Sequence, residues 1–264
     1  MSNLIPIQRS PRVAVIRLAG VIAAAGRRGA PNDAGLAETI ERAFRKGRPV
    51  AVALAVNSPG GAPAQTALIA GRIRRLAAEK GVKVHAFVED VAASGGYWLA
   101  CAADDILVDA SSVVGSIGVI SASFGFHDFL TRHGIERRVH TAGTSKSFLD
   151  PFQPEKPEDI ARLQALQAPI HDAFIAQVRA RRGPRLAAGD LFTGEVWVGT
   201  QAVEKGLADG IAHLVPKLKE LYGEKVKLVH YGPRRGLLRR FAAETLSEAL
   251  GQVEERALWA RYGL

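Results

Sequence analysis

The chain has 264 residues, 47% of them hydrophobic and 23% charged, a globular composition that excludes wholesale disorder. One cysteine, Cys101, excludes an internal disulfide framework, and no Cys-x-x-Cys or Cys/His cluster suggests structural zinc. Lys and Arg outnumber Asp and Glu by 35 to 26, but the arginines lie in dispersed pairs such as Arg74-Arg75 and Arg181-Arg182. With no aromatic-rich RNA-binding signature, the sequence favours a solvated basic surface and no nucleic-acid partner.

In chain order, Val13–Leu18 reads as a strand, and Pro31–Lys46 as a helix capped by Asn32 or Asp33. Val50–Val56 is a continuous apolar run, as in a parallel strand buried on both faces. Ala64–Glu79 carries a helical stripe, Val82–Val88 reads as a strand, Ser94–Ala103 as a short helix and Ile106–Asp109 as a strand. Strand and helix in alternation predict an α/β domain with a mainly parallel sheet. Beyond it, Phe124–His133 is expected to be helical and Ile135–His140 extended. Pro157–Arg182 is expected to form a long helix with Ile160, Leu163, Leu166, Ile170, Phe174 and Val178 on its apolar face. A helix ended by Gly206 follows within Val196–Ile211, and Val226–Val229 is a late strand. The simplest partition is one domain over residues 1–232 and a tail over 233–264.

No secretory signal is visible, since Arg17 interrupts the stretch from Val13 to Ala25. No window reaches the roughly 18 apolar residues that span a bilayer. The expected location is cytoplasmic or peripheral to the inner membrane.

Three segments near strand ends carry chemistry, where open α/β sheets place ligands. Asn57-Ser58-Pro59-Gly60-Gly61 follows the buried strand, and its glycines let backbone amides point outward, where they could hold an oxyanion. An ordinary Pro-Gly turn is the competing reading. Ala93-Ser94-Gly95-Gly96-Tyr97 opens a short helix with small neighbours around the Ser94 hydroxyl; a helix cap would explain the serine equally well. Gly143-Thr144-Ser145-Lys146-Ser147 lies in a loop, and a lysine freed of its proton can serve as base to a serine. Alone, Lys146 reads as a surface lysine. Cys101 and His85 read as core residues, Asp104-Asp105 as a turn, and Tyr97 and Trp98 as cleft or packing residues.

The ordered set N-S-P-G-G, A-A-S-G-G-Y, G-S-I-G-V-I at Gly115–Ile120 and a loop lysine resembles the signal peptide peptidase A (SppA-type) serine peptidases. The resemblance runs from about Val13 to Leu214. It implies the Clp/crotonase-like fold of repeated β-β-α units, with Ser94 as nucleophile and Lys146 as general base. It also implies oxyanion donors at Gly60, Gly61 and Gly95, and Ser116 as the residue that orients the lysine. No cofactor or metal is implied. The implied partners are a peptide or protein substrate, signal-peptide remnants among them, and further copies of the chain in a ring-like homo-oligomer.

A Clp-type Ser-His-Asp triad needs a histidine about 25 residues after the serine, where this chain has Val119. A crotonase-like acyl-CoA enzyme would not need Ser94 and Lys146, and an inactive scaffold would not need to keep them. In the tail, Leu238, Phe241, Ala242, Leu246, Ala249, Leu250, Val253 and Ala257 form a helical stripe. Its hosts could be its own domain, a neighbouring protomer or, as a peripheral contact, an anionic membrane surface.

Overall fold

A computed structural model describes residues 10–23, 30–143, 146–232 and 256–263. By contacts the chain divides into two compact units, one of residues 1–117 and 175–264 and one of residues 118–174.

The first unit is built on a sheet. Strand β1 (Arg12–Ala19) leads to helix α1 (Asp33–Arg45), then β2 (Ala51–Ser58), α2 (Pro63–Lys80), β3 (Lys83–Ala93), α3 (Gly95–Ala100), β4 (Asp105–Val108) and β5 (Val113–Gly115). The second unit holds the short helix α4 (His127–Arg132) and most of α5 (Pro157–Arg182). The chain then adds β6 (Val196–Val198), α6 (Gly199–Glu204), β7 (Gly210–Ile211), α7 (Leu214–Tyr222) and β8 (Lys227–Tyr231) to the first unit. Strands run in the order β6-β5-β3-β2-β1-β8, with β4 between β3 and β7. All pairs are parallel except β5 with β6.

The buried strands follow from their composition. β1, β2 and β3 are rich in Val, Ile, Leu and Ala, and side chains of successive residues point to opposite faces. Val13, Val15, Ala51, Ala53, Ala55, Phe87 and Leu107 pack with Leu218 of α7 in one cluster. The alternate set, Ile16, Leu18, Val52, Leu54 and Val56, is as deeply buried and belongs to the face covered by α1, α2 and α3. Each fully buried Val, Leu or Ile contributes about 1.5–3 kcal/mol, which makes this three-strand centre the rigid frame of the unit. Asn32 caps α1, its side chain accepting from the Gly35 amide at 2.8 Å. Arg72 of α2 grips Asp33 with two donors at 2.7 and 2.8 Å, and the Arg72 hydrogen bonds hold the Asp33 carboxyl below its usual range.

β1, β2, β4, β8, α1, α2 and α5 stand within a few residues of the sequence expectations, while β5, β6 and β7 lie where the sequence suggests no strand, and four further differences stand out. β3 is longer and runs directly into the turn at Ser94. Of 124–133 only His127–Arg132 is helical, and residues 135–140 form no strand. The expected apolar face of α5 is buried at Phe174 and Val178 but exposed at Ile160, Leu166 and Ile170, because helical periodicity records which face is apolar and not whether anything covers it. The tail stripe up to Val253 lies outside the described residues; Arg256–Ala260 form a helical turn that includes Ala257.

His85 is a satisfied core residue, as its strand position suggests. Its Nδ1 lies 3.0 Å from Asp105 and its Nε2 2.7 Å from the Tyr222 hydroxyl, while Lys83 pairs with the same aspartate. Burial pushes the His85 pKa down, against the pull of Asp105. The unfolded chain therefore binds the proton more readily than the folded one, and stability falls as pH drops through about 6.5 toward the lower folded value. Urea titrations from pH 7 to 5 are expected to show stability declining less steeply in His85→Gln than in the parent. Equal slopes would contradict the assignment.

Candidate active site

β3 changes partners on its way to Ser94. Residues 85–87 pair with β4, residues 91–93 with β5, and between them the register against β2 shifts at Val56 to Ser58, where Glu89 and Asp90 lie in a bulge. Asn57 clamps this bulge: its Nδ2 donates to Asp90 at 2.6 Å and its Oδ1 accepts from the Val91 amide at 3.2 Å. Ser112 holds the other side, its hydroxyl donating to the Val88 and Glu89 carbonyls. The displaced strand end then delivers Ser94 to the start of α3.

Ser94 has φ 52° and ψ −123°, a backbone conformation costly for a non-glycine residue. Its amide donates to the Gly115 carbonyl at 2.8 Å and its carbonyl accepts from Tyr97 and Trp98. The hydroxyl does not cap the helix. The cap reading, which competes with the nucleophile reading in the sequence alone, is thus set aside by the geometry. Ser94 stands half-buried on a strained strand-to-helix turn, with no partner for its hydroxyl among the described residues.

The glycine loop packs against this turn at distances only glycine permits. Gly60 has φ 105°, and a Cβ there would lie 2.8 Å from both the Gly95 nitrogen and the Ser94 Cβ. A Cβ on Gly96 would overlap the Ser58 carbonyl oxygen. Ser58, almost fully buried, ties the loop down: its hydroxyl donates to the Gly20 carbonyl at 2.7 Å and accepts from the Gly60 amide at 3.2 Å. Gly61, with φ 139°, bridges to Ile22, whose amide donates to the Gly60 carbonyl while its own carbonyl accepts from Ala62. The Gly60 amide is therefore engaged. Those of Gly61 and Gly95 have no acceptor among the described residues, the latter because the first amides of a helix have no intrahelical partner.

Behind Ser94, α3 is a buried anchor. Tyr97 is fully enclosed, its hydroxyl donating to the Leu207 carbonyl at 2.8 Å. Arg182 binds the Gly206 carbonyl twice, at 3.0 and 2.7 Å, and Asp209 at 2.6 Å. Tyr97 and the wholly buried Cys101 are thus packing residues, and burial pushes the Cys101 thiol up to about 12. Asp104 is the turn residue expected; although burial raises its pKa, the Val84 amide with Arg74 and Arg181 holds it below the usual range.

Ser116 lies next to the residue that accepts from Ser94. It too has positive φ, 51°, and its amide donates to the Glu195 carbonyl at 2.6 Å. Ser94, Gly60, Gly61, Gly95 and Ser116 all belong to the first unit. Lys146 belongs to the second, in a turn where its amide donates to Gly143 and its side chain is exposed. The positioning roles of Asn57 and Ser58 have no signal in the sequence beyond their place in N-S-P-G-G. A polar pair between a buried strand and two glycines is the cue that could have found them.

The sheet, its bulged third strand and the serine turn against a glycine loop define an α/β protein of the Clp/crotonase-like fold. Two solved structures of a 1510-N membrane-bound stomatin-specific protease share it. A lysine-to-alanine variant in complex with a substrate peptide matches with TM-score 0.52 at 14% identity, covering 94% of this chain and 99% of that one. A serine-to-alanine variant matches with TM-score 0.50 at 15% identity, covering 86% and 100%. The chain belongs to peptidase family S49, whose model matches residues 77–225. It is 32% identical over 206 residues to the probable protease SohB of Haemophilus influenzae, covering 76% of this chain and 57% of that protein. It is 30% identical over 175 residues to a putative signal peptide peptidase SppA of Enterococcus faecium, covering 66% and 51%. It is also 50% identical over 271 residues to a protein of Brucella melitensis named Na(+)/H(+) antiporter NhaA, covering 96% of this chain and 37% of that protein. The chain thus spans between 37% and 57% of the length of these curated relatives.

Close packing of the two glycine segments makes a paired expectation. Gly96→Ala is expected to lose about 1–3 kcal/mol by forcing α3 away from Ser58. Gly71→Ala, in α2 with open space around it, is expected to gain about 0.5–1 kcal/mol. Urea denaturation checks both, and a Gly96→Ala variant of parental stability would contradict the contact.

Proposed function

We propose that the chain is a serine peptidase that hydrolyses peptides or unfolded protein segments with Ser94 as nucleophile and Lys146 as general base. The observation that carries this reading is the strained Ser94 turn, whose hydroxyl is left uncapped beside the unengaged amides of Gly61 and Gly95. Family membership and a solved neighbour carrying a substrate peptide support the substrate class.

Ser94 Oγ attacks the scissile carbonyl carbon as its proton passes to the neutral Lys146 amine, and the former carbonyl oxygen becomes an oxyanion. Gly61 and Gly95 donate to that oxygen; two donors aimed at developing charge are worth several kcal/mol. Gly60 shapes the loop rather than donating, since its amide is held by Ser58. Collapse breaks the C–N bond, and the leaving amine takes the proton from the Lys146 ammonium. Water then gives a proton to Lys146 and attacks the ester, and the second collapse returns a proton to Ser94 Oγ. Ser116, beside the Ser94 turn, is assigned to orient the lysine amine by a hydrogen bond.

The small and apolar residues around Ser94 favour a small or apolar side chain at the cleaved position, and signal-peptide remnants are one substrate class of that kind. A membrane-peripheral place of action fits relatives named as a membrane-bound protease and as an antiporter. Among the described residues no helix is long and apolar enough to cross a membrane. The working form is assigned as a homo-oligomer, by resemblance.

Ser94→Ala and Lys146→Ala are each expected to abolish hydrolysis of a fluorogenic peptide while leaving the urea midpoint unchanged, and the double variant is expected to be no worse than either single. Ser116→Ala is expected to lose less. Parental activity in Ser94→Ala would overturn the reading. Activity is also expected to rise with pH from neutral into the alkaline range, since the base must be unprotonated and an ordinary lysine holds its proton to about 10.4. A profile governed by a group near 6.5 would point to histidine instead.

A further inference from the structure

β3 gives one edge to β2, so β4 and β5 share the other: residues 85–87 pair with β4 and residues 91–93 with β5. The sheet splits between those two strands, and the turn from Asp109 to Ser112 crosses the gap. A cavity of about 500 Å³ opens at the split, just past the carboxyl ends of β4 and β7, where a parting of strands leaves a crevice for a ligand. Its lining lies wholly in the first unit, and none of the residues assigned to catalysis takes part.

The interior is apolar, made by Ala55, Phe87, Ala212 and Leu214, with the Tyr262 ring in the wall. The polar part of the lining is acidic, in a chain whose net charge is +9. It holds Glu89, Asp90 and Asp109 and no lysine or arginine. Glu89 is neutralised by Arg17 at 2.6 Å. Asp90 has only the neutral Asn57 amide as a side-chain partner, at 2.6 Å, and Asp109 accepts from the Ser111 amide at 2.8 Å and lies 2.7 Å from His213 Nε2. Negative charge on this rim is therefore not balanced by a permanent cation at Asp90 or Asp109.

The two features together select a ligand. Anions are repelled, and a neutral hydrocarbon leaves the carboxylates unused. A metal ion gains nothing from the apolar interior, and among the described residues no group of three or more His, Cys, Asp and Glu is gathered to hold one. A cation that carries its own apolar body satisfies both parts, and the volume is that of a small-molecule site.

We propose that this crevice binds an apolar primary ammonium, with the charged group on Asp90 and its aromatic or branched body against Phe87 and Leu214. Asp109 adds attraction from the same rim. Asn57 already fixes the Asp90 carboxylate, so the acceptor is preorganised for a charge-assisted hydrogen bond. Free amines and peptide amino termini with an apolar first residue share this chemistry.

The test reads binding to the full chain and does not depend on hydrolysis. Titrated with phenethylamine and followed by ligand-observed NMR, the chain is expected to show saturable binding at least tenfold tighter than for 3-phenylpropionate, which sets the opposite charge on a similar body. Equal binding of the two, or no binding of phenethylamine, would overturn the proposal. Asp90→Asn keeps an acceptor for Asn57 and removes the charge, and Ser111→Lys tethers an ammonium at an exposed position on the rim. Each is expected to weaken phenethylamine binding at least fivefold with the urea midpoint unchanged, and parental affinity in either would overturn the proposal. The tripeptide Phe-Ala-Ala separates the two sources: tighter binding than phenethylamine assigns a peptide amino terminus, and weaker binding assigns a free amine. N-acetyl-Phe-Ala-Ala binding as tightly as the free tripeptide would overturn the proposal as well.

Discussion

The site depends on one steric constraint, the approach of the loop 57–61 to the turn 94–96. Gly60 lies so near the Ser94–Gly95 peptide, and Gly96 so near the Ser58 carbonyl, that any side chain would force the segments apart. Cores are packed too densely to absorb such a shift without strain elsewhere. The approach sets the unengaged Gly61 and Gly95 amides in one neighbourhood with the Ser94 turn, and it is maintained by Ser58 on one side and by the buried Tyr97 and Arg182 on the other.

The strain at Ser94 is held in place by that packing. A residue at φ 52° and ψ −123° costs about 1–3 kcal/mol and persists only when its surroundings determine it. Here β3 enters the turn bonded to β5 and leaves it as a helix wholly buried against β2 and β3. The bulge at Glu89 and Asp90 makes this possible, because it shifts β3 from β4 to β5 just before the serine. Asn57 thus joins two tasks in one motif: its side chain shapes the strand, and the residues after it shape the loop.

Much of this was legible in the sequence because it is written in residue types with narrow conformational roles. Continuous apolar runs mark the buried strands, and the glycine pair after β2 marks a turn with outward amides, but the close approach of that loop to the Ser94 turn has no sequence signal. The bulge has no sequence signal, since Glu89 and Asp90 look like the polar end of a strand, and the expected end at Val88 falls five residues short of Ala93. Ile160, Leu166 and Ile170 have helical spacing, but spacing does not say whether a partner covers them. Sequence alone allows Ser94 as a cap, and only its dihedral angles and the absence of a side-chain cap hydrogen bond separate the two roles. Lys146 was assigned by resemblance alone; nothing in its local sequence distinguishes a base from a surface lysine, and its turn leaves it exposed.

The central claim is that Ser94 is an activated nucleophile, and covalent labelling tests it most directly. The full chain treated with a fluorophosphonate should gain one adduct, mapped by mass spectrometry to the peptide containing Ser94, and the adduct should be lost in both Ser94→Ala and Lys146→Ala. Labelling that settles on another serine, or that persists unchanged in Lys146→Ala, would contradict the account.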